Sequence, residues 1–283
     1  MASLLLILSC ILTSSCDGSS SNEVDDIPLS AIKTANPLMG FATWASSPKN
    51  DVPCSLEYVP VHFSDVLTAS NTCDFSKFEE KLNAAKKRRH QAIVRFIIDD
   101  TGTGLYLPSF LSSVNKYAYT YGEKTYKSPD YNDSTLLNQI LFFIGKLAKE
   151  YDGDPRIANI ETGLIGHWGE HHVHYCKDKQ SISNDTWKQF FQKFSDSFSE
   201  TCISVRSPSH YWVSECDNLG YYNDMVYSDA DDEYFRKMLA TDSALPDRWK
   251  LSMVTGEFAP PEQVSFLADC NKSSVFNKYK ERI

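Results

Sequence analysis

The sequence predicts an α/β fold of the (β/α)8 barrel type, a TIM-type barrel, with the last strand–helix unit absent or truncated. Seven apolar, strand-like runs alternate with helical stretches along the chain. Polar residues gather where those runs end, which is where barrels of this type build their sites. No glycine-rich phosphate fingerprint follows the first run, which argues against a dinucleotide-binding sheet. A chain of 283 residues, 42% hydrophobic, is long enough for one such barrel.

The first strand falls within Asn36–Trp44 and the second within Leu56–Phe63, although Pro60 is out of place in a central strand. Asp74 or Ser76 is placed to cap a helix whose Phe75, Phe78, Leu82 and Ala85 recur at helical spacing. The third strand, Gln91–Asp100, is apolar around a single Arg95. Residues 101–133, rich in Gly, Tyr, Ser and Pro, read as a long loop of the kind that covers a site. Thr135–Glu150 is an amphipathic helix with Leu136, Leu137, Ile140, Leu141, Ile144 and Leu147 on one stripe. Gly153 and Pro155 end it, and Ile157–Ile165 follows as a buried fourth strand.

Asn184 is placed to cap a helix carrying Trp187, Phe190, Phe191, Phe194 and Phe198. Cys202–Pro208 and Tyr222–Tyr227 supply the fifth and sixth strands. Asp231–Ala240 is a short helix and Leu251–Glu257 the seventh strand. The 26 residues after Glu257 leave room for a helix and at most a short last strand.

Acidic residues outnumber basic ones 37 to 28, a net charge of −9, which disfavours nucleic acid as a partner because such binding needs clustered positive charge. The one basic run, Lys86–His90, suits a helix carboxyl end, where cations favour the dipole. Residues 1–16 read as a signal peptide and 17–35 as a flexible linker, leaving 36–283 as the barrel domain. Export to the extracellular space is the expectation, with lipid anchoring through Cys16 as the lesser alternative. No other segment is long and apolar enough to span a bilayer. Cys54, Cys73, Cys176, Cys202, Cys216 and Cys270 allow up to three disulfides, with the pairing open. Asn132, Asn184 and Asn271 open glycosylation sequons.

The chemistry concentrates at the strand ends. Trp44 ends the first strand, Asp99 and Asp100 the third, and Arg206 the fifth. Asn223 and Asp224 flank the sixth, and Glu257 ends the seventh. The fourth strand runs into Gly166-His-Trp-Gly-Glu-His-His172, which sets a carboxylate beside an aromatic platform on backbone free enough for close ligand approach. Two carboxylates facing each other across a bound sugar are what glycosidic hydrolysis usually needs, one to protonate the leaving oxygen and one to attack or to activate water. Glu170 and Glu257 are the candidate pair. Trp44, Arg95, Asp99, Trp168, His171, His172, Arg206, Asn223 and Asp224 are candidate sugar-binding residues. The sequence calls for no cofactor.

A further set of motifs occurs in a familiar order: Asn36-Pro-Leu-Met-Gly-Phe, Arg95-Phe, Asp152-Gly-Asp-Pro-Arg with Gly166-His-Trp-Gly-Glu-His171, Val205-Arg-Ser-Pro208, Leu219-Gly-Tyr-Tyr-Asn-Asp224 and Gly256-Glu257. Over about residues 36–260 the chain resembles the glycoside-hydrolase-like barrels catalogued as domain of unknown function 4832. That resemblance implies a (β/α)8 barrel related in architecture to retaining glycosidases. It also implies Glu170 as acid/base after strand four and Glu257 as nucleophile after strand seven.

Two other readings stay open on the sequence. One is a non-catalytic carbohydrate-binding protein on a decayed barrel. The other is a metal-dependent hydrolase using His171, His172 and His174, whose alternate residues would share one face of a continued strand.

Overall fold

The structure is a computed structural model and describes residues 41–48, 54–206, 216–226, 228–240 and 247–258. The expected signal peptide and linker, Cys270, the Asn271 sequon and the expected last barrel unit lie outside these residues. So does the stretch 36–40 of the expected first strand.

One parallel sheet organises the described chain. Its strands are β1 (Ala42–Trp44), β2 (Leu56–His62), β3 (Gln91–Ile97), β4 (Ile157–Glu161), β5 (Ile203–Val205), β6 (Leu219–Val226) and β7 (Val254–Phe258). They lie side by side in chain order, every neighbouring pair parallel. A doubly wound sheet would reverse its order partway, so sequential order marks the singly wound, barrel-type arrangement. Helices α1 (Ser76–Lys87), α2 (Ser134–Tyr151), α3 (Asn184–Ser197) and α4 (Asp229–Leu239) follow β2, β3, β4 and β6.

The sheet is curled. Strands three places apart in a flat sheet stand about 14 Å apart. Yet Thr255 on β7 donates to Glu161 Oε1 on β4 at 3.2 Å, and Arg95 Nη2 on β3 donates to Asp224 Oδ1 on β6 at 3.2 Å. At the outer edges the rings of Phe41 and Phe258 come within 6.0 Å of each other. The described residues therefore form a seven-stranded partial barrel.

Side chains alternate between two layers, as strand geometry requires. On the outer face Val59, Val61, Val94, Phe96, Ile160 and Val205 meet Phe78, Leu82, Ile140, Phe143, Ile144, Phe190 and Phe194 of α1–α3 in one buried core. Inside the barrel a small apolar floor of Leu56, Ile93 and Ala158, with Tyr58 and Met253 against it, lies toward the amino ends of the strands. Above that floor the interior turns polar. Pro60 is tolerated in β2 because Tyr58 accepts from the Ala45 amide and so directs the even-numbered backbone groups toward β1. That strand has ended at Trp44, so the missing Pro60 N–H leaves no ladder bond unmade.

Several local expectations change. The third and fourth strands stop early, at Ile97 and Glu161: Asp99–Asp100 pairs antiparallel with Gly104–Leu105, and the residues after Glu161 enter the turn that carries Glu170. Within 101–133 a hairpin, Lys116–Tyr121 paired with Lys124–Pro129, replaces open loop. The cap of α3 is Ser183, whose hydroxyl accepts from the Thr186 amide, with Asn184 as first helical residue. No disulfide joins any two of the five described cysteines, and the expected pairings that involve Cys270 lie outside the described residues. They sit on separate elements: Cys176, for instance, is buried under His167 and accepts from Gln180. Asn132 clamps the loop before α3: it donates to the Ser181 carbonyl and accepts from the Ser183 amide and the Thr186 hydroxyl.

Candidate active site at the carboxyl ends of the strands

Arg95 is the centre of the polar layer. Its inward position on β3 buries it to 3% exposure, where a guanidinium persists only if its donors are matched. It donates through Nε to Glu161 Oε2 at 2.7 Å and through Nη2 to Asp224, and its Nη1 lies 3.6 Å from Glu170 Oε1. The rings of Tyr222 and Tyr58 lie 4.6 and 5.4 Å from its guanidinium carbon. Burial works against its charge, but the Glu161 carboxylate and its neighbours hold it firmly protonated.

Glu170 is presented by a tight turn, residues 163–172, in which six residues have positive φ. Three of them are not glycine: Leu164, Trp168 and His171, a density of unfavourable backbone typical of functional loops. Gly166 has φ +92°, and a Cβ there would lie 2.6 Å from the His172 amide nitrogen, so only glycine fits. The turn is pinned to the barrel. Leu164 donates to the Phe96 carbonyl at 2.6 Å and Trp168 to the Asp99 carbonyl at 2.7 Å. The Tyr222 hydroxyl donates to the Gly169 carbonyl at 3.0 Å. Glu170 thus arrives at the barrel mouth on a fixed backbone, its side chain 16% exposed. Burial pushes its carboxyl above the usual range, against the pull of Arg95 and Arg206.

Asp224, at the end of β6, is buried beside it. Arg206 donates to Asp224 Oδ2, and Asp224 and Glu170 share the Arg95 guanidinium, at 3.2 and 3.6 Å. Burial and the Glu170 charge raise Asp224 to about 6. His172 Nε2 donates to Glu170 Oε2 at 3.3 Å, and burial, with the Arg206 charge, lowers its pKa to about 3, so the ring is neutral at pH 7. Glu257, half-buried on β7, lies within electrostatic reach of the Tyr58 phenol.

The other expected site residues divide. Trp168 forms part of an aromatic wall: its ring meets Tyr121 at 5.5 Å and Tyr175 at 6.0 Å, and both tyrosines are more than a third exposed. Trp44 is 45% exposed at the end of β1, edge-on to Tyr58. Asp99 is a brace, accepting from Tyr119 at 2.7 Å and from His167 Nδ1 at 2.9 Å beneath the Glu170 turn. His171 turns away from the mouth, hydrogen-bonded to Thr162 and ringed by Trp187, Phe190 and Phe191 of α3. Asn223 also faces away, donating to Asp232 of α4 at 3.0 Å.

The three histidines of the metal reading diverge: His171 packs on α3, His172 bonds Glu170, and His174 lies edge-on to Tyr175. Among the described residues no group of three or more His, Cys, Asp or Glu is arranged to hold a metal ion. The cations that serve this carboxylate cluster are arginines. A separate concavity of 430 Å³, lined by Lys86, Arg89, His90, Arg156 and their neighbours, opens at the opposite, amino end of the strands.

Sequence reasoning missed Glu161, Tyr58, Tyr222, Tyr121 and Tyr175. For Glu161 a signal existed, since a lone acid inside a fully apolar strand needs a buried partner.

No family model matches the chain, and no curated protein matches it. Solved structures similar to it include endo-glycoceramidase II from Rhodococcus sp. (8% identity, TM-score 0.45, 74% of this chain and 62% of that one). GH5_18 from Bifidobacterium longum subsp. longum is similar at 10% identity and TM-score 0.39, over 55% of this chain and 36% of that one. Endoglucanase Cel5A from Pseudomonas stutzeri is similar at 12% identity and TM-score 0.37, over 69% and 57%. The chain thus spans about a third of the length of the Bifidobacterium protein. Identities this low and scores below 0.5 assign neither activity nor substrate to this chain.

Proposed function

We propose that this protein is a glycoside-hydrolase-like barrel that cleaves a carbohydrate by a two-carboxylate mechanism, with Glu170 as acid/base and Glu257 as nucleophile. The observation that carries the reading is the Glu170 carboxyl itself: fixed on a strained turn at the barrel mouth, pushed above the usual carboxyl range by burial, and next to an exposed aromatic wall. A carboxyl raised by burial is suited to protonate a leaving oxygen near neutral pH. Trp168, Tyr121 and Tyr175 offer the apolar faces on which pyranose rings stack.

Asp224 does not fit as the second carboxylate. Retaining pairs stand about 5–5.5 Å apart and inverting pairs about 6.5–9.5 Å, so that a sugar lies between them. Asp224 is 5% exposed and taken up by the Arg95 and Arg206 guanidinium groups, so it does not offer a free carboxylate to a bound sugar. Glu257, on β7, three strands round the curled sheet from β4, is the residue whose position suits attack from the far side. Arg95 and Arg206 keep the cluster's excess negative charge in check. The membership in domain of unknown function 4832 and export through residues 1–16 belong to the same proposal.

The test is hydrolysis of a panel of aryl glycosides and oligosaccharides by wild type, Glu170→Gln and Glu257→Gln. Cleavage by wild type that falls by about 10³-fold or more in both variants supports the mechanism. Oligosaccharide binding without cleavage by wild type would replace it with the non-catalytic binding reading.

A further inference from the structure

Three aromatic rings meet beside the barrel mouth, each edge-on to the other two. Trp168 and Tyr121 stand 5.5 Å apart at 80°, Tyr121 and Tyr175 5.2 Å apart at 69°, and Trp168 and Tyr175 6.0 Å apart at 79°. Trp168 belongs to the turn that carries Glu170, Tyr175 follows in the same loop, and Tyr121 stands at the tip of the Lys116–Pro129 hairpin. The corner is held from several directions. The Trp168 indole N–H donates to the Thr101 carbonyl at 2.8 Å. The Tyr121 ring rests on Gly102, where a Cβ would lie 3.2 Å from it. The hairpin is tied down by the Tyr126 hydroxyl, which donates to the Gly102 carbonyl at 2.9 Å, and by Lys179, which donates to the Ala118 carbonyl. Tyr119, on the same face of its strand as Tyr121, is buried, yet Tyr121 and Tyr175 are 39% and 37% exposed. Apolar surface so fixed and so open is not used by the fold and marks a place for a ligand.

We propose that this aromatic corner is the subsite for the group attached to the anomeric oxygen, and that it selects groups with a flat apolar face, the carbon-lined face of a pyranose or an aryl ring. The proposal rests on the reading of Glu170 as the acid/base and adds which part of the substrate the corner meets. An acid must stand within hydrogen-bond reach of the oxygen it protonates. That oxygen carries the leaving group, so the leaving group occupies the surroundings of Glu170. His172 joins those surroundings to the corner: its Nε2 lies 3.3 Å from Glu170 Oε2 and its ring 6.2 Å from that of Trp168. Its Nδ1 accepts from the His174 amide at 3.4 Å, which fixes the ring between the two. The three rings offer faces and no charge, and the Trp168 N–H is already taken, so the corner recognises by stacking.

The hairpin is then the specificity element. Glu170 is presented by backbone hydrogen bonds of its own turn to the sheet, from Leu164 to Phe96 and from Trp168 to Asp99. Tyr121 reaches the corner from a separate segment, the hairpin that follows β3. Truncating Tyr121 therefore removes a wall of the subsite and leaves the bonds that present Glu170 in place.

The experiment is equilibrium binding to the full chain carrying Glu170→Gln, so that no probe is cleaved. For each sugar of the hydrolysis panel, in both anomers, the probes are the methyl glycoside, the phenyl glycoside and a disaccharide with that sugar at its non-reducing end. The phenyl glycoside or the disaccharide is expected to bind about fivefold or more tighter than the methyl glycoside. The Trp168 indole NMR signal should move with the tighter probe and not with the methyl glycoside. Adding Tyr121→Ala or Tyr175→Ala should shrink the preference by about threefold or more, and both side chains are exposed enough for the variants to fold. Tighter binding of the disaccharide identifies a saccharide leaving group, and tighter binding of the phenyl glycoside an aryl one. Equal affinity for all probes, a preference that survives both substitutions, or no binding at all overturns the proposal. Binding is read without cleavage, so the two readings fail separately. A tyrosine-dependent preference in a protein whose wild type cleaves nothing sinks the hydrolase reading alone. Glu170-dependent cleavage whose kcat/KM falls equally on methyl and phenyl glycosides in Tyr121→Ala sinks the subsite alone.

Discussion

Tyr222 on β6 donates its hydroxyl to the carbonyl of Gly169, the residue before Glu170, at 3.0 Å. One phenol thus ties the sixth strand to the turn that carries Glu170 after the fourth. The same ring lies under the Arg95 guanidinium, so it also backs the charge cluster. Tyr222→Phe keeps the ring and removes only the bond. It is expected to cost about 1 kcal/mol of stability. Amide exchange should quicken across residues 163–172 while α2 stays protected, and kcat should fall more than KM rises.

Gly166→Ala tests the turn more severely. The added methyl meets the His172 amide at 2.6 Å on a backbone with φ +92°. A destabilisation of about 1–3 kcal/mol is expected, read by denaturant unfolding. Glu170 should shift with it, so residual activity falls further than Tyr222→Phe lowers it.

The His167–Asp99 pair beneath the turn makes stability pH-dependent. Burial opposes the imidazolium, but Asp99 and Cys176 outweigh it and raise His167 to about 9. The Tyr175 amide points at Nε2 from 3.3 Å and favours the neutral ring, yet that contact is long beside the 2.9 Å ion pair. A raised histidine contributes stability that is fully present below its unfolded pKa of about 6.5 and is lost as pH rises through about 9. Wild type minus His167→Gln should therefore lose its stability difference across that window. A difference that stays flat from pH 6 to 10 would show the neutral ring instead.

Phe143 of α2 is fully buried, with ring centroids of Phe96 and Phe63 at 4.9 and 5.2 Å. Phe143→Ala is expected to cost about 3–5 kcal/mol in global unfolding, because it opens a cavity between α2 and the sheet. Its effect on chemistry should be confined to the fraction of molecules unfolded.

What the sequence made legible follows from locality. Strand and helix periods come from neighbours a few residues apart, so all seven strands and four helices could be read, as could the rim position of Glu170 after a glycine-bearing strand end. The charge cluster was opaque for the opposite reason. Arg95 meets Glu161 66 positions later and Asp224 129 positions later, pairings that exist only once the sheet curls. Asp224 therefore read as one rim polar among several. The hairpin of Lys116–Tyr121 was legible in the Tyr117, Tyr119, Tyr121 alternation, but serine and glycine around it masked the period. Asn132 and Asn223 matched surface roles by type, and only their partners on other elements show that they lock the fold.

The most direct measurement of the central claim is the leaving-group dependence of Glu170→Gln. A residue that donates a proton to the departing oxygen matters most for a poor leaving group and little for an activated aryl glycoside that departs unaided. Once wild type has revealed its sugar, kcat/KM for Glu170→Gln should fall by about 10³-fold or more on the natural linkage. On a dinitrophenyl glycoside of the same sugar it should fall by at least tenfold less. Equal losses on both substrates would contradict the assignment of Glu170 as the acid.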